Sequence, residues 1–301
     1  MYDIIIIGAG MAGMTAALYC LRTDKSVLLI EAETVGGQIA NSPRVENYPT
    51  VEAIGGSELA NRLFEQVLGL GAEFELERVN KVEKLAEKHF VVTTDYGTHE
   101  AKAVIVAAGA KHRPLGLARE AELVGKGVSY CAVCDGPFFK GEEVALIGGA
   151  NSALQYALAL SQYCTKVHML VMLDYLMGEE ALIRAVKRTP NVEIYMETVC
   201  EEFMGEDELE AVRIRNKDGE QVLSVKGAFV AIGQMPDNDI YTNLADLNQW
   251  GYFDSGEDCT TKTPGFFVAG DCRSKRVRQL TTAASDGASA AIAACNYLLQ
   301  E

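Results

Sequence analysis

The stretch Tyr130-Cys131-Ala132-Val133-Cys134-Asp135-Gly136 sets two thiols three residues apart, with a carboxylate directly behind the second. Thiols at that spacing can close and open a disulfide, taking up and passing on an electron pair. The rival readings are a structural C-x-x-C and half of a zinc site. Zinc needs a second pair of ligands; the chain has no other C-x-x-C and no close Cys/His cluster, so no metal is expected. A redox pair also needs a source of electrons, and the start of the chain offers a place for one. In Gly8-Ala9-Gly10-Met11-Ala12-Gly13 the first glycine makes a tight turn and the second lets backbone approach a pyrophosphate. The third permits close packing of helix on strand, and the helix N-terminus then faces the phosphates. Glu31 follows 23 residues after Gly8, where a carboxylate can accept hydrogen bonds from ribose hydroxyls. A packing turn without ligand is the bland alternative; strand, helix and acid in register weigh against it.

These residues need elements to position them. Two segments share one pattern, an apolar β-rich run, a glycine turn and a small-residue helix: "DIIIIGAGMAGMTAALYCL" from Asp3 and "EVALIGGANSALQYALALS" from Glu143. Each is followed by a second strand, at 26–32 and 166–173, so the chain reads as two related α/β domains. The late segment "TPGFFVAGDC" at 263–272, with the helical run behind it, lacks a glycine fingerprint of its own. Its simplest partner is the sheet of the first domain. Boundaries are expected near 112 and 244, where "AAGAKHRP" and the turn-rich "GQMPDND" stretch end apolar strands.

The 301 residues suit about two domains, and 49% hydrophobic with 23% charged residues can fill two cores of a soluble globular protein. A net charge of −15 disfavours non-specific attraction to nucleic acid or anionic membrane. No run approaches a membrane span, and "MYDIIIIGAG" lacks the basic flank of a signal peptide, which points to a buried strand and a cytoplasmic protein. In a reducing compartment the eight cysteines do not form a disulfide framework, and the six outside the C-x-x-C are expected to be inert core thiols.

The first glycine turn, "GGQI" at 36–39, "ENYP" at 46–49, "YCAVCDG", "AGD" at 269–271 and "RQ" at 278–279 together resemble the low-molecular-weight, bacterial-type flavin thioredoxin reductases, in matching order over almost the whole length. The resemblance implies an α/β flavoprotein with two Rossmann-like dinucleotide-binding domains. The FAD domain would be discontinuous, 1–112 and 244–301, and an NADPH-domain-like redox domain, 113–243, would be inserted in it. It also implies a homodimer that passes electrons to thioredoxin. By the same resemblance Gly8, Gly10, Met11, Ala12, Gly13, Glu31, Ala32, Gly37, Gln38 and Asn47 line FAD. Ala108 and Gly109 follow, with Gly270, Asp271, Arg278, Gln279 and Leu280 from the late segment. Thr50 stands where a glycine is usual after "ENYP", which touches only a local turn. The family pattern turns Cys134 to the flavin and Cys131 to exchange, and Asp135 becomes the acid/base that protonates the leaving thiolate of the substrate.

The second glycine turn departs from the family. It reads Gly148-Gly149-Ala150-Asn151-Ser152-Ala153, with the Ala150 methyl where backbone should approach a pyrophosphate. A histidine and paired arginines are usual past the next strand; Val171, Met172 and Leu173 stand there, and Met177 replaces a further arginine. No cation remains to pair a 2′-phosphate, and Asp174 is the nearest carboxylate for an NADH ribose. The domain is therefore expected to serve as a scaffold for the C-x-x-C. In "CRSKRVRQ", Arg273, Lys275, Arg276 and Arg278 put four cations into six positions beside Gly270-Asp271, extended by Lys111, His112 and Arg113. Such a patch would steer an acidic electron carrier; the bland reading is a solvated loop with balanced charges.

The expectation is a ferredoxin-dependent flavin thioredoxin reductase, resembling the small group that takes electrons from ferredoxin instead of NADPH, with hinges near 112–114 and 240–244. Alternatives are an NAD(P)H or deazaflavin donor, a small-molecule dithiol oxidase handing electrons to oxygen, and a redox-sensing interaction protein without turnover. His89, His99 and His168 are expected at the surface or satisfied in the core, Cys272 is assigned a structural role, and the acidic run 201–210 a solvated hairpin or loop.

Overall fold

Four consecutive isoleucines, Ile4 to Ile7, show no polar alternation, as suits a strand covered on both faces. In the computed structural model, which describes residues 1–42 and 44–300, they are the centre of the first sheet. Strand β1 (Tyr2–Ile7) turns into helix α1 (Met11–Leu21), which brings the chain back to β2 (Val27–Glu31), parallel to β1 with Ile7 opposite Ile30. Helix α2 (Gly56–Gly69) leads to β3 (Glu73–Leu76) beside β2. An antiparallel meander of β4 (Val79–Ala86), β5 (His89–Thr94) and β6 (Thr98–Val106) then returns to β1, with Val106 opposite Ile7.

The second unit begins at His112. It comprises β7 (Val128–Ser129), the short helix α3 (Ala132–Asp135), β8 (Glu143–Ile147), α4 (Asn151–Leu160), β9 (Lys166–Leu170), α5 (Glu180–Arg188) and β10 (Val192–Tyr195). A three-stranded meander, β11 (Val199–Met204), β12 (Ala211–Asn216) and β13 (Gly219–Ser224), precedes β14 (Gly227–Val230). The parallel sheet runs β10-β9-β8-β14-β7, the right order for a doubly wound nucleotide fold.

The chain then completes the first unit. Strand β15 (Phe266–Val268) pairs in parallel with β6, giving the order β3-β2-β1-β6-β5-β4 with β15 on β6, and helix α6 (Leu280–Leu299) lies against α1. Ala12, Ala16 and Ala17 of α1 share a core with Ala290, Ala291 and Ala294 of α6, so the helix backbones approach closely. A Cβ on Gly287 would stand 2.2 Å from the Ala12 carbonyl oxygen.

The units divide as Met1–Lys111 with Met235–Glu301, and His112–Gln234. The return crossing by compactness thus falls at 234/235, ahead of the expected 243/244. The reason is packing: Tyr241 is buried among Phe253 and Phe266, and Asn238 Nδ2 donates to the carbonyls of Gly251 (2.9 Å) and Cys272 (3.0 Å), all in the first unit. Among the described residues no helix is long and apolar enough to cross a membrane, and no group of three or more His, Cys, Asp or Glu is placed to hold a metal ion.

Candidate active site

Cys131 and Cys134 are joined as a disulfide at the start of α3. Cys131 caps that helix: the Cys134 amide donates to its Sγ at 3.2 Å, a bond that favours negative charge on this sulfur once the pair is reduced. Ser129, buried at the end of β7, links the pair to its acid. Its hydroxyl accepts from the Cys131 amide (3.0 Å) and donates to Asp135 Oδ2 (2.6 Å). Burial raises the Asp135 pKa and the Ser129 bond partly offsets this, while Oδ1 is buried without a partner among the described residues. A carboxyl biased toward its neutral form, with one uncommitted oxygen, suits a proton donor. Behind it, Tyr156 donates to the Tyr130 carbonyl at 3.3 Å, and burial together with the Asp135 charge pushes its phenol pKa up.

Tyr130 anchors the other side of the pair. Its hydroxyl donates to Glu120 Oε1 at 2.7 Å, and the buried Glu120 carboxylate also accepts the amides of Leu115, Gly116 and Leu117. The His112 ring stacks on Tyr130, centroids 5.1 Å apart, and accepts from Gln234 Nε2 through Nδ1 at 3.3 Å. Desolvation lowers its pKa to about 4, so this ring is neutral at pH 7.

In the first unit the glycine turn gathers the residues assigned to a flavin. Gly8 has φ +106°, and a Cβ on Gly13 would stand 1.8 Å from the Gly8 carbonyl oxygen, so α1 can begin only this close to β1 with glycine there. Its first amides, Met11, Ala12 and Gly13, have no acceptor within the helix and face the turn. Gly36–Gly37 lies against Gly10, Ala107–Ala108 against Gly8, and Gly270 against Ala12. Gln38 Nε2 donates to the Ala110 carbonyl, next to Gly109. Asn47 Nδ2 donates to Gln279 Oε1 at 3.1 Å, where Gln279 caps α6 ahead of Leu280. Glu31 accepts the amides of Ala9 (2.8 Å), Ala32 (2.9 Å) and Glu33 (2.9 Å). Burial raises the Asp271 pKa against the opposing charges of Lys275 and Arg278, and its Oδ1 is buried without a partner among the described residues. A cradle of glycine backbone, a helix start with open amides and an unsatisfied buried carboxyl oxygen fit a dinucleotide diphosphate and its ribityl or ribose hydroxyls.

The cationic run departs from expectation. Arg273 is 2% exposed, paired with Asp286 at 2.8 Å and bonded to Ser255 Oγ at 2.8 Å; Lys275 shares the same Asp286 carboxylate at 2.9 Å. Arg278 lies over the Tyr252 ring, 4.4 Å from its centroid, and donates to the carbonyls of Arg273 and Lys275. Only Arg276 of the four is exposed, so there is no four-cation docking patch. Lys111 pairs with Glu33 and His112 is neutral, so neither extends one.

At the second glycine turn, Ala150 caps α4 in extended conformation, and the loop after β9 closes on it. The Met177 amide donates to the Gly149 carbonyl (2.8 Å) and Asn151 Oδ1 accepts the Glu179 amide (2.8 Å). Val171 is buried against Gly149, while Met172, Tyr175 and Met177 are exposed. Asp174 carries the one charge in 171–178.

Sequence reasoning missed Ser129, Tyr252 and Asp286. The signal for Asp286 was present, a single acid in a helix of small residues, whereas nothing local marks Ser129. The histidines are satisfied as expected, though by acids distant in sequence: His89 by Glu100 (3.3 Å), His99 by Glu77 (3.1 Å), and His168 by Glu143 (2.9 Å) and Tyr195 (3.1 Å). Cys272 is fully buried, its thiol bonded to the Ala269 carbonyl. The acidic run 201–210 contains the end of β11, with Glu201 and Glu202 paired to Arg215 and Arg213 across the meander.

Comparisons with known proteins agree over nearly the whole chain. A family model described as pyridine nucleotide-disulphide oxidoreductase matches residues 2–287. The thioredoxin reductase of Bacillus subtilis is 39% identical over 305 residues, covering 100% of this chain and 96% of that protein. The "34.2 kDa protein in rubredoxin operon" of Clostridium pasteurianum is 36% identical over 299 residues, 98% of this chain and 97% of its own length. Among solved structures, thioredoxin reductase from Streptococcus pyogenes superposes with a TM-score of 0.94 at 37% identity, covering 99% of this chain and 98% of that one.

Proposed function

The chain belongs to the pyridine nucleotide-disulphide oxidoreductase family, and on that premise we propose that it is a flavin thioredoxin reductase that reduces the disulfide of thioredoxin through Cys131 and Cys134. The observation that carries this is the disulfide with its acid held by one buried hydroxyl, Ser129. FAD is the cofactor, and when bound it supplies the electron pair that opens Cys131–Cys134. The turn Gly8–Gly13 and the start of α1 would hold its diphosphate, Glu31 a ribose, and Gly37, Gln38, Asn47, Ala108, Gly109, Asp271, Arg278 and Gln279 the rest. In the opened pair the Cys131 thiolate, supported by the Cys134 amide, attacks the disulfide of thioredoxin. Asp135 gives its proton to the leaving thiolate, Cys134 then attacks the mixed disulfide, and dithiol thioredoxin departs. Val133 and Phe138 supply exposed apolar surface beside the pair for a protein substrate. The test is turnover: flavin-loaded enzyme reduced in solution should transfer electrons to oxidised thioredoxin, and Cys131→Ser or Cys134→Ser should abolish this.

The donor we propose is reduced ferredoxin, delivering two single electrons, and the support for it is the uncharged segment Val171–Leu173 with Met177 where a 2′-phosphate would need cations. The run 272–279 lends it no support, since Arg273 and Lys275 are held by Asp286 and Arg278 lies on Tyr252, which leaves Arg276 alone of the four exposed. The second reading, an NAD(P)H donor, is favoured by the glycine turn retained at the start of α4 and by the family itself. Anaerobic flavin bleaching with ferredoxin, NADPH or NADH as the sole donor decides between them. The enzyme would act as a cytoplasmic homodimer, with the first unit holding FAD and the second carrying the redox pair.

A further inference from the structure

Six cysteines lie outside the redox pair and all six are buried. Four are solitary, and burial pushes their thiols up: Cys164 and Cys259 to about 11, Cys200 and Cys272 to about 12. Such thiols are inert at neutral pH. Cys20 and Cys295 differ. Helices α1 and α6 run side by side, in register at Ala12 and Gly287. Eight residues further along each helix, a rise of about 12 Å on both, stand Cys20 and Cys295, both in the core that the two helices share and close enough for each thiol to shift the other's titration. Thr23 Oγ1 donates to the Cys20 carbonyl at 2.8 Å and lies 3.2 Å from Cys295 Sγ. The turn above them, Arg22 to Asp24, is exposed, so the pair sits just beneath the surface. The Cys20 thiol, the Thr23 hydroxyl and the nearby Lys25 charge hold the Cys295 thiol below the ordinary range against burial and Asp3, while Cys20 is pushed well up.

We propose that Cys20 and Cys295 form a second dithiol site, closed to a disulfide by hydrogen peroxide, that ties α1 to α6 within the first unit. Cys295 thiolate attacks one oxygen of the peroxide; the O–O bond breaks, hydroxide leaves and takes up the proton that Cys295 released, and the sulfur, oxidised by two electrons, becomes a sulfenic acid. Cys20 attacks that sulfur, the S–O bond breaks, and the second hydroxide leaves as water with the Cys20 proton. Two thiols and one peroxide thus become one disulfide and two waters. Helix α1 begins at the glycine turn and α6 packs on that start at Gly287, so the tie fixes a pair of elements that the proposed flavin site shares.

The test uses flavin-loaded enzyme with Cys131–Cys134 closed and six thiols free. After peroxide, denaturation in alkylating reagent should leave four thiols, and mass mapping should find Cys20 joined to Cys295. In Cys20→Ala, Cys295 should advance to the sulfinic acid for want of a resolving thiol; in Cys295→Ala, Cys20 should stay unmodified. Six thiols remaining in the wild type, a link to any other cysteine, or sulfinic Cys295 without a link would overturn the proposal, and the wild-type map decides even where a variant fails to fold.

Discussion

The Ser129 hydroxyl lies 2.6 Å from Asp135 Oδ2 and accepts from the Cys131 amide at 3.0 Å, so one buried side chain links the acid to the backbone of the attacking cysteine. Asp135→Asn should slow thioredoxin reduction by about 10²–10⁴-fold, the usual contribution of a positioned proton donor, while the Cys131–Cys134 disulfide still forms. The measurement is steady-state thioredoxin reduction beside a thiol titration. The pH dependence has a definite sign. Activity carried by the protonated acid falls as pH rises through its raised pKa; the Ser129 bond lowers that pKa, so Ser129→Ala should move the falling limb to higher pH. A limb displaced to lower pH would remove Asp135 from the role.

The uncharged segment after β9 makes a gain-of-function test available. Met172→Arg with Leu173→Arg places two cations where the loop is exposed or half-buried. A hydrogen bond to a charged phosphate is worth about 1.5–3 kcal/mol, so anaerobic flavin reduction by NADPH should rise at least about tenfold over the wild type. Equal rates in both proteins would show that the loop does not govern donor choice.

Much of this was legible in the chain. The four isoleucines of β1, the glycine turn and Glu31 follow rules that act over a few residues, and the paired strand–turn–helix segments announce two nucleotide-type units. Residues 272–279 show where such rules stop. A run of cations looks like a surface patch until its counter-charge is known, and Asp286 lies on the next helix, its carboxylate shared by Arg273 and Lys275. The return crossing was misplaced for a similar reason: "GQMPDND" has turn composition, but Asn238 and Tyr241 already belong to the first unit's core. Ser129 and the Cys20–Cys295 pair were invisible because their partnerships are set by tertiary contact and carry no spacing signature.

Asp286 should matter more to stability than its place on a small-residue helix suggests. Asp286→Asn leaves the 2% exposed Arg273 without its carboxylate, a loss of about 3–5 kcal/mol for a broken buried pair. Urea unfolding followed by far-UV circular dichroism measures it, and adding Arg273→Met should recover part of the loss. A single variant within 1 kcal/mol of wild type, about the effect of an exposed pair, would contradict this account.

His112 gives a second pH signature. Its folded pKa, lowered by desolvation to about 4, lies below the unfolded value. Stability from the neutral ring is therefore complete above the unfolded pKa of about 6.5 and is lost as pH falls toward the folded value, by up to about 3 kcal/mol. Urea midpoints between pH 4 and 7 should show this component in the wild type and lose it in His112→Gln. A wild-type-minus-variant difference that is flat with pH would refute the assignment.

The parallel pairing of β15 with β6 also dictates an order of events during synthesis. Roughly 160 residues separate Val106 from Phe266, and the whole second unit is made in that interval. At about 5–20 residues per second, the edge of β6 waits on the order of 8–30 s for its partner strand. The second unit is continuous and can fold as it emerges, but the first must remain an open half-sheet with Val104, Ile105 and Val106 along its unpaired edge. The nascent chain, more than the finished enzyme, is where this architecture is most exposed to wrong strand pairing and most in need of a chaperone.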